Sequence, residues 1–460
     1  MSKQRFLEYP RPFESLSFES FLADEGQLDA MEMLRQKPSQ KQLQAHKKMT
    51  ESPSQTRNGI SKRFLKELTN ERNYIAATYF KKPSSHDLDA GAYDDIVTKS
   101  RNYFEKFYVM SKIIENNRKK YHTNGTVPRF MWTCPDGRVY EELCWRFEII
   151  MSGYMYAACL FNQAMVMQDT IKAHNAMMTA YTVLRHVCLE QVLDWSTRHE
   201  HLLPFESTEQ GITVAISIIK ICMQRDVIIS ACYTSLSETN SVDAPGIETF
   251  ISSTIPTGIP YDVSSELIDQ STSVRSSISA WMFHECRELQ SILNARKRDG
   301  SAVYFSDWTD NILELYKLEA LAFVLYFSAD ASVTGITIPK RTFLFTYATK
   351  AIDDALHIMR IKHKTYDMST VHPKSISELL KYMHSVLISK GKQSKRVENT
   401  TISDSDTELS NKTSVWSLLP DNPIHFYRNV RIENGGMDKF RPNESVVQTV
   451  KKYMSIQSDK

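Results

Sequence analysis

The chain has 460 residues but only 14 glycines and 16 prolines, and this scarcity constrains its fold more than any motif does. Sandwiches, barrels and doubly wound sheets turn often, and glycine supplies the positive backbone angles that tight turns need. A chain this poor in both residues reverses direction rarely and spends its length in long helices. Apolar residues at 42% and charged residues at 24% provide a core and exclude a wholly disordered chain. Lys and Arg number 56 against 54 Asp and Glu. Proteins that live on phosphate backbones carry a basic excess, so nucleic acid is not an expected partner.

The cysteines are Cys134, Cys144, Cys159, Cys188, Cys222, Cys232 and Cys286. Their number is odd, no CxxC pair occurs, and most sit in apolar helical patterns, which reads as reduced thiols in a cytoplasmic protein. No secretory h-region follows Lys3 and Arg5, and no long apolar run spans a membrane.

Hydrophobic periodicity predicts an amphipathic helix over 89–121, with Tyr93, Ile96, Val97, Phe104, Phe107, Met110 and Ile114 on its apolar side. A central helix is expected within 139–167 and another over 171–195. Ser207 to Gln210 has capping-box spacing and opens a helix to about 235; Ser375 to Glu378 opens one that Gly391 should end. Further helices are expected at 275–296, 309–330 and 340–363. Phe130 to Cys134, then Pro135 to Gly137, then Arg138 to Tyr140 has the chemistry of a short β-hairpin. Residues 35–59 read as a flexible polar insertion, and 236–272 and 392–414 as loops; the last includes the serine-acidic run Ser403 to Glu408, a solvated stretch or a site for an acid-directed kinase.

Catalytic signatures are sparse. The chain contains no GxGxxG, P-loop, GxSxG or HExxH. His199 and His201 are two residues apart, which on a helix points them to different sides. His284-Glu-Cys286 lacks the PCxxC of a zinc deaminase. Asp94-Asp95 and Asp353-Asp354 do not complete DDxxD. No metal or cofactor is expected, and the chain reads as acting through a surface rather than through bond-breaking chemistry.

Four segments, in order, resemble the BRO domain of the Alix family. Leu68-Thr-Asn-Glu71-Arg72 precedes a helix bearing Tyr103-Phe104; Phe130-Met-Trp132 precedes Phe147-Glu148; Met178 to Arg185 is similar to an alanine-rich stretch; Asp421-Asn422-Pro-Ile-His-Phe426 runs to Val430. Gly153-Tyr154-Met155 and Arg431 depart from the family pattern. The resemblance implies an all-α, boomerang-shaped domain of tetratricopeptide-like helix hairpins with a small β-hairpin near its edge. Its extent would be 60–450, after an N-terminal extension at 1–59 and before a tail at 451–460.

The resemblance further implies a non-enzymatic adaptor. Such proteins bind the C-terminal amphipathic helix of an ESCRT-III subunit of the charged multivesicular body protein type, and are recruited through it to endosomal membranes. The groove positions carried over are Val227, Ile278 and Met282, which would otherwise be ordinary core. Valine in place of a larger family residue implies a shallower groove. An all-helical enzyme of isoprenoid type and a helical scaffold for an unrelated peptide stay open as alternatives.

Overall fold

The computed structural model describes residues 10–12, 62–80, 90–116, 129–135, 137–142, 144–167, 170–194, 204–239, 272–298, 307–330, 338–362, 374–401 and 440–455. Among these the chain is all-α apart from one three-stranded antiparallel sheet. No described helix is long and apolar enough to cross a membrane. The chain divides into two compact units. A sheet unit comprises Glu8–Leu160, Thr179–Thr213 and Asp438–Lys460; an array unit comprises Met1–Leu7, Phe161–Met178 and Val214–Met437.

In the sheet unit, β2 (Phe130–Thr133) and β3 (Val139–Glu142) form the expected hairpin, with Trp132 opposite Tyr140. Its turn closes through the Cys134 N–H on the Arg138 carbonyl, and Gly137 takes the positive φ of 79° for which glycine is suited. The sequence pattern did not reveal β1 (Arg11–Pro12), which lies in the stretch read as an extension. It adds a third strand beside β2, with Pro12 opposite Trp132. Proline lacks a donor and is tolerated on such an edge strand.

Helices α1 (Lys62–Phe80) and α2 (Ala90–Asn116) pack together in this unit. All seven apolar residues expected on one side of α2 are buried. Helix α3 (Trp145–Ala164) is buried on nearly every face, as expected of a central helix, but it starts at Trp145 because β3 occupies Val139–Glu142 at the head of the expected region. The helix expected over 171–195 is observed as α4 (Thr170–Val183), a π-helical turn (Leu184–Leu189) and α5 (Glu190–Asp194). The π turn carries Cys188 against α3: a Cβ on Gly153 would stand 2.8 Å from the Cys188 sulfur and 3.0 Å from the Phe104 ring. Only a residue without a side chain allows that approach.

Helix α6 (Glu209–Thr239) begins after a 3-10 turn at Phe205–Ser207. Its cap is Thr208, whose hydroxyl accepts the Gly211 N–H at 3.1 Å. The capping residue is therefore one position later than the sequence spacing implied, because Ser207 donates its hydroxyl back to the Pro204 carbonyl.

The array unit stacks α7 (Thr272–Arg298), α8 (Asp307–Asp330), α9 (Ile338–Lys362) and α10 (Lys374–Thr401), each packed against the next. Ser276 meets Val324 while Gln290 meets Glu314, so α7 and α8 run antiparallel. His384 meets Asp353 and Gly391 meets Phe345, which gives the same sense to α9 and α10. Gly391 does not end its helix as expected. It is packed beside Phe345, and α10 continues to Thr401, so the first ten residues of the loop expected at 392–414 are helical, as α6 is over the first four of the loop expected at 236–272.

A last helix, α11 (Glu444–Ser455), belongs to the sheet unit and packs on α2. It runs through the residues expected to form a tail. Asn443 caps it, accepting the Ser445 N–H at 3.0 Å.

Candidate partner-binding site

The three residues singled out from the resemblance lie on neighbouring helices of the array unit. Val227 is on α6; Ile278 and Met282 are one turn apart on α7. The side chains of Val227 and Ile278 are outside the described ones. Met282 is fully buried, with 0% exposure. It therefore packs inside the unit, with Trp281, Cys286, Leu289 and Leu293 buried on the same helix.

Polar contacts fix α6 beside α7. The Ser217 hydroxyl on α6 donates to the Glu285 carboxylate on α7, and Lys220 stands near the same carboxylate. Burial raises the Glu285 carboxyl above its ordinary range, and Lys220 and Ser217 oppose that shift. One residue on, burial beside Cys222 pushes the Cys286 thiol well up, so it is an inert core group rather than a nucleophile. Burial and the neighbouring Arg287 lower the pKa of His284.

Two residues before Val227, Arg225 clasps α8. Its Nε donates to Glu319 Oε2 at 2.7 Å and its terminal nitrogen to Oε1 at 3.1 Å, with the guanidinium 4.2 Å from the centre of the Tyr316 ring. The two charged side chains are 5% and 0% exposed. A bidentate pair of this kind holds the backbone of α6 in register with α8. Sequence reading missed it, although an arginine and a glutamate in otherwise apolar helical runs were the available signal.

Among the described residues, no three His, Cys, Asp or Glu side chains are grouped to hold a metal ion. Asp94, Asp95, Asp353 and Asp354 are all exposed, and Asp353 Oδ1 stands 3.1 Å from His384 Nε2. His199, His201, the run Ser403 to Glu408 and the segment from Asp421 to Arg431 lie outside the described residues.

The first two segments of the resemblance converge in the sheet unit. Glu148 accepts Arg72 Nε at 2.9 Å and Trp132 Nε1 at 2.6 Å, and also accepts the Tyr103 hydroxyl. Arg72 sends a further bond to the Met131 carbonyl at 2.9 Å. This cluster is buried and structural: it ties α1, α2, β2 and α3 to one carboxylate.

No protein-family model matches the chain, and no curated protein matches its sequence. Solved structures do. Among them is one concerning the structural basis for endosomal targeting by the Bro1 domain, 10% identical, with a TM-score of 0.53 over 99% of this chain and 97% of that one. Another is an ALIX BRO1 CHMP4C complex, 11% identical, with a TM-score of 0.44 over 85% of this chain and 88% of that one. At 10% identity the likeness is one of fold, and the chain has the fold of a divergent Bro1 domain.

Proposed function

We propose that this Bro1-fold chain is a non-enzymatic adaptor that binds the C-terminal amphipathic helix of an ESCRT-III subunit of the charged multivesicular body protein type. Through that partner it is recruited to endosomal membranes. The observation that carries the proposal is likeness of fold, along nearly the whole of both chains, to a Bro1 domain solved for its role in endosomal targeting.

The physical form of the recognition is a helix laid into an apolar furrow, presenting residues at i, i+3, i+4 and i+7. In this proposal Val227 and Ile278 face the partner, while Met282, one turn after Ile278 on α7, is buried within the unit. Arg225 and Ser217 hold the helices that frame the furrow. Association and side-chain ordering offset most of the apolar gain, so binding is reversible and in the micromolar range.

A panel of ESCRT-III C-terminal helix peptides, measured by fluorescence anisotropy against the full chain, tests the proposal. Saturable binding of at least one peptide is expected; no binding at high micromolar concentration contradicts it. Val227→Asp and Ile278→Asp should abolish binding and leave denaturation unchanged. Met282→Asp should instead lower stability, because its charge enters a site closed to water.

A further inference from the structure

Helix α11 is held in the way a protein holds a peptide ligand. Val450 and Met454 are buried, Val446, Val447 and Tyr453 are half-buried, and the intervening residues face solvent. Positions 447, 450 and 454 have the i, i+3, i+7 spacing of a helix seated in a groove. The groove is made by α1 and α2. Tyr453 stacks on Phe64 with ring centres 5.2 Å apart, and Phe440, just before the helix, packs on Phe104 at 5.5 Å and Tyr108 at 5.8 Å.

A polar latch accompanies these contacts. The Asn443 N–H donates to Glu105 Oε2 at 3.0 Å, and Glu105 is 1% exposed. The other carboxylate oxygen of Glu105 accepts Arg101 Nε at 2.7 Å, one helical turn away on α2 itself. Departure of α11 therefore leaves the Glu105 charge paired. Glu148 differs, since every helix and strand bound to it would lose a partner on separation. A helix of 12 residues is marginal alone in water, so α11 owes its form to the groove more than to its own propensity.

We propose that the α1–α2 groove is a reversible helix-binding site that exchanges its own α11 for the segment 440–455 of a second copy of this protein. The site is distinct from the proposed partner furrow, because Val227, Ile278 and Met282 belong to the array unit and this groove to the sheet unit. When α11 leaves, the aromatic face of Phe64, Phe104 and Tyr108 accepts the same segment from another chain.

The test uses the full chain and a fluorescent peptide of residues 438–460. In the wild type the resident helix competes, and apparent affinity falls by the fraction of time the groove is open. Val450→Asp weakens the resident helix in cis and vacates the groove. The peptide should bind V450D at least about tenfold more tightly than the wild type, as expected for a groove open a tenth of the time or less. Unlabelled peptide should displace it. Hydrogen exchange on the wild type should find α11 amides opening faster than those of Phe104 to Phe107. Failure of the peptide to bind folded V450D overturns the proposal. So does unfolding of V450D, since a receptor outlasts its ligand, and so does protection of α11 equal to that of α2.

Discussion

Arg72 donates from Nε to Glu148 Oε1 at 2.9 Å, and neither side chain has any exposed surface. The pair joins α1 to α3 across 76 residues of sequence, and Tyr103 and Trp132 complete the carboxylate's set of donors. A carboxylate with three buried donors is stable only while all are in place, because losing its charge strands them together.

Glu148→Ala should therefore cost about 3–5 kcal/mol, the usual cost of leaving a buried charge unpaired. Urea denaturation followed by tryptophan fluorescence measures it. A loss below about 1 kcal/mol, the scale of an exposed pair, would show that the cluster is not the keystone of the sheet unit.

Arg225 and Glu319 give a second case, open to a double-mutant cycle. Arg225→Met alone leaves Glu319 buried without its partner and should cost about 3–5 kcal/mol. Adding Glu319→Leu removes the stranded charge, and the double variant should recover much of that loss. Additive losses in the double variant would contradict the assignment.

The Glu285 carboxyl gives a pH prediction. Burial is the largest cause of its raised pKa, with Lys220 acting against it. A carboxyl that holds its proton more tightly folded than unfolded favours folding at low pH. It costs stability as pH climbs from the unfolded value through the raised folded one. Glu285→Gln should be more stable than the wild type near pH 7, with the gap closing at about pH 4 and below. Thermal melts at both pH values decide it. A gap of equal size at both would rule out ionisation of Glu285 as the cause.

Much of this structure was legible in the sequence, for identifiable reasons. Helix α2 followed from the three-and-four spacing of Tyr93 to Ile114, and the hairpin from Pro135 and Gly137 beside Trp132. The residues that carried the family resemblance proved to be partners: Arg72, Tyr103, Trp132 and Glu148 meet at one buried carboxylate. Spacing alone does not show such a meeting, since it depends on how α1, α2, β2 and α3 pack.

What escaped the sequence was decided by tertiary contact. The strand at Arg11–Pro12 has no pattern of its own and exists through its pairing with β2. Gly391 has the local character of a helix end, yet α9 packs beside it and the helix continues. The π turn at Leu184–Leu189 carries no compositional mark, and its consequence shows only where Cys188 meets Gly153. The burial of Met282 likewise depends on how α7 packs, which apolar spacing cannot report.

Titrating one ESCRT-III C-terminal helix peptide into the wild-type chain and into Ile278→Asp side by side, with unfolding curves for both, tests the adaptor proposal most directly. The account predicts micromolar, saturable binding to the wild type and none to the variant, at unchanged stability. Equal binding to both chains, or to neither, would contradict it.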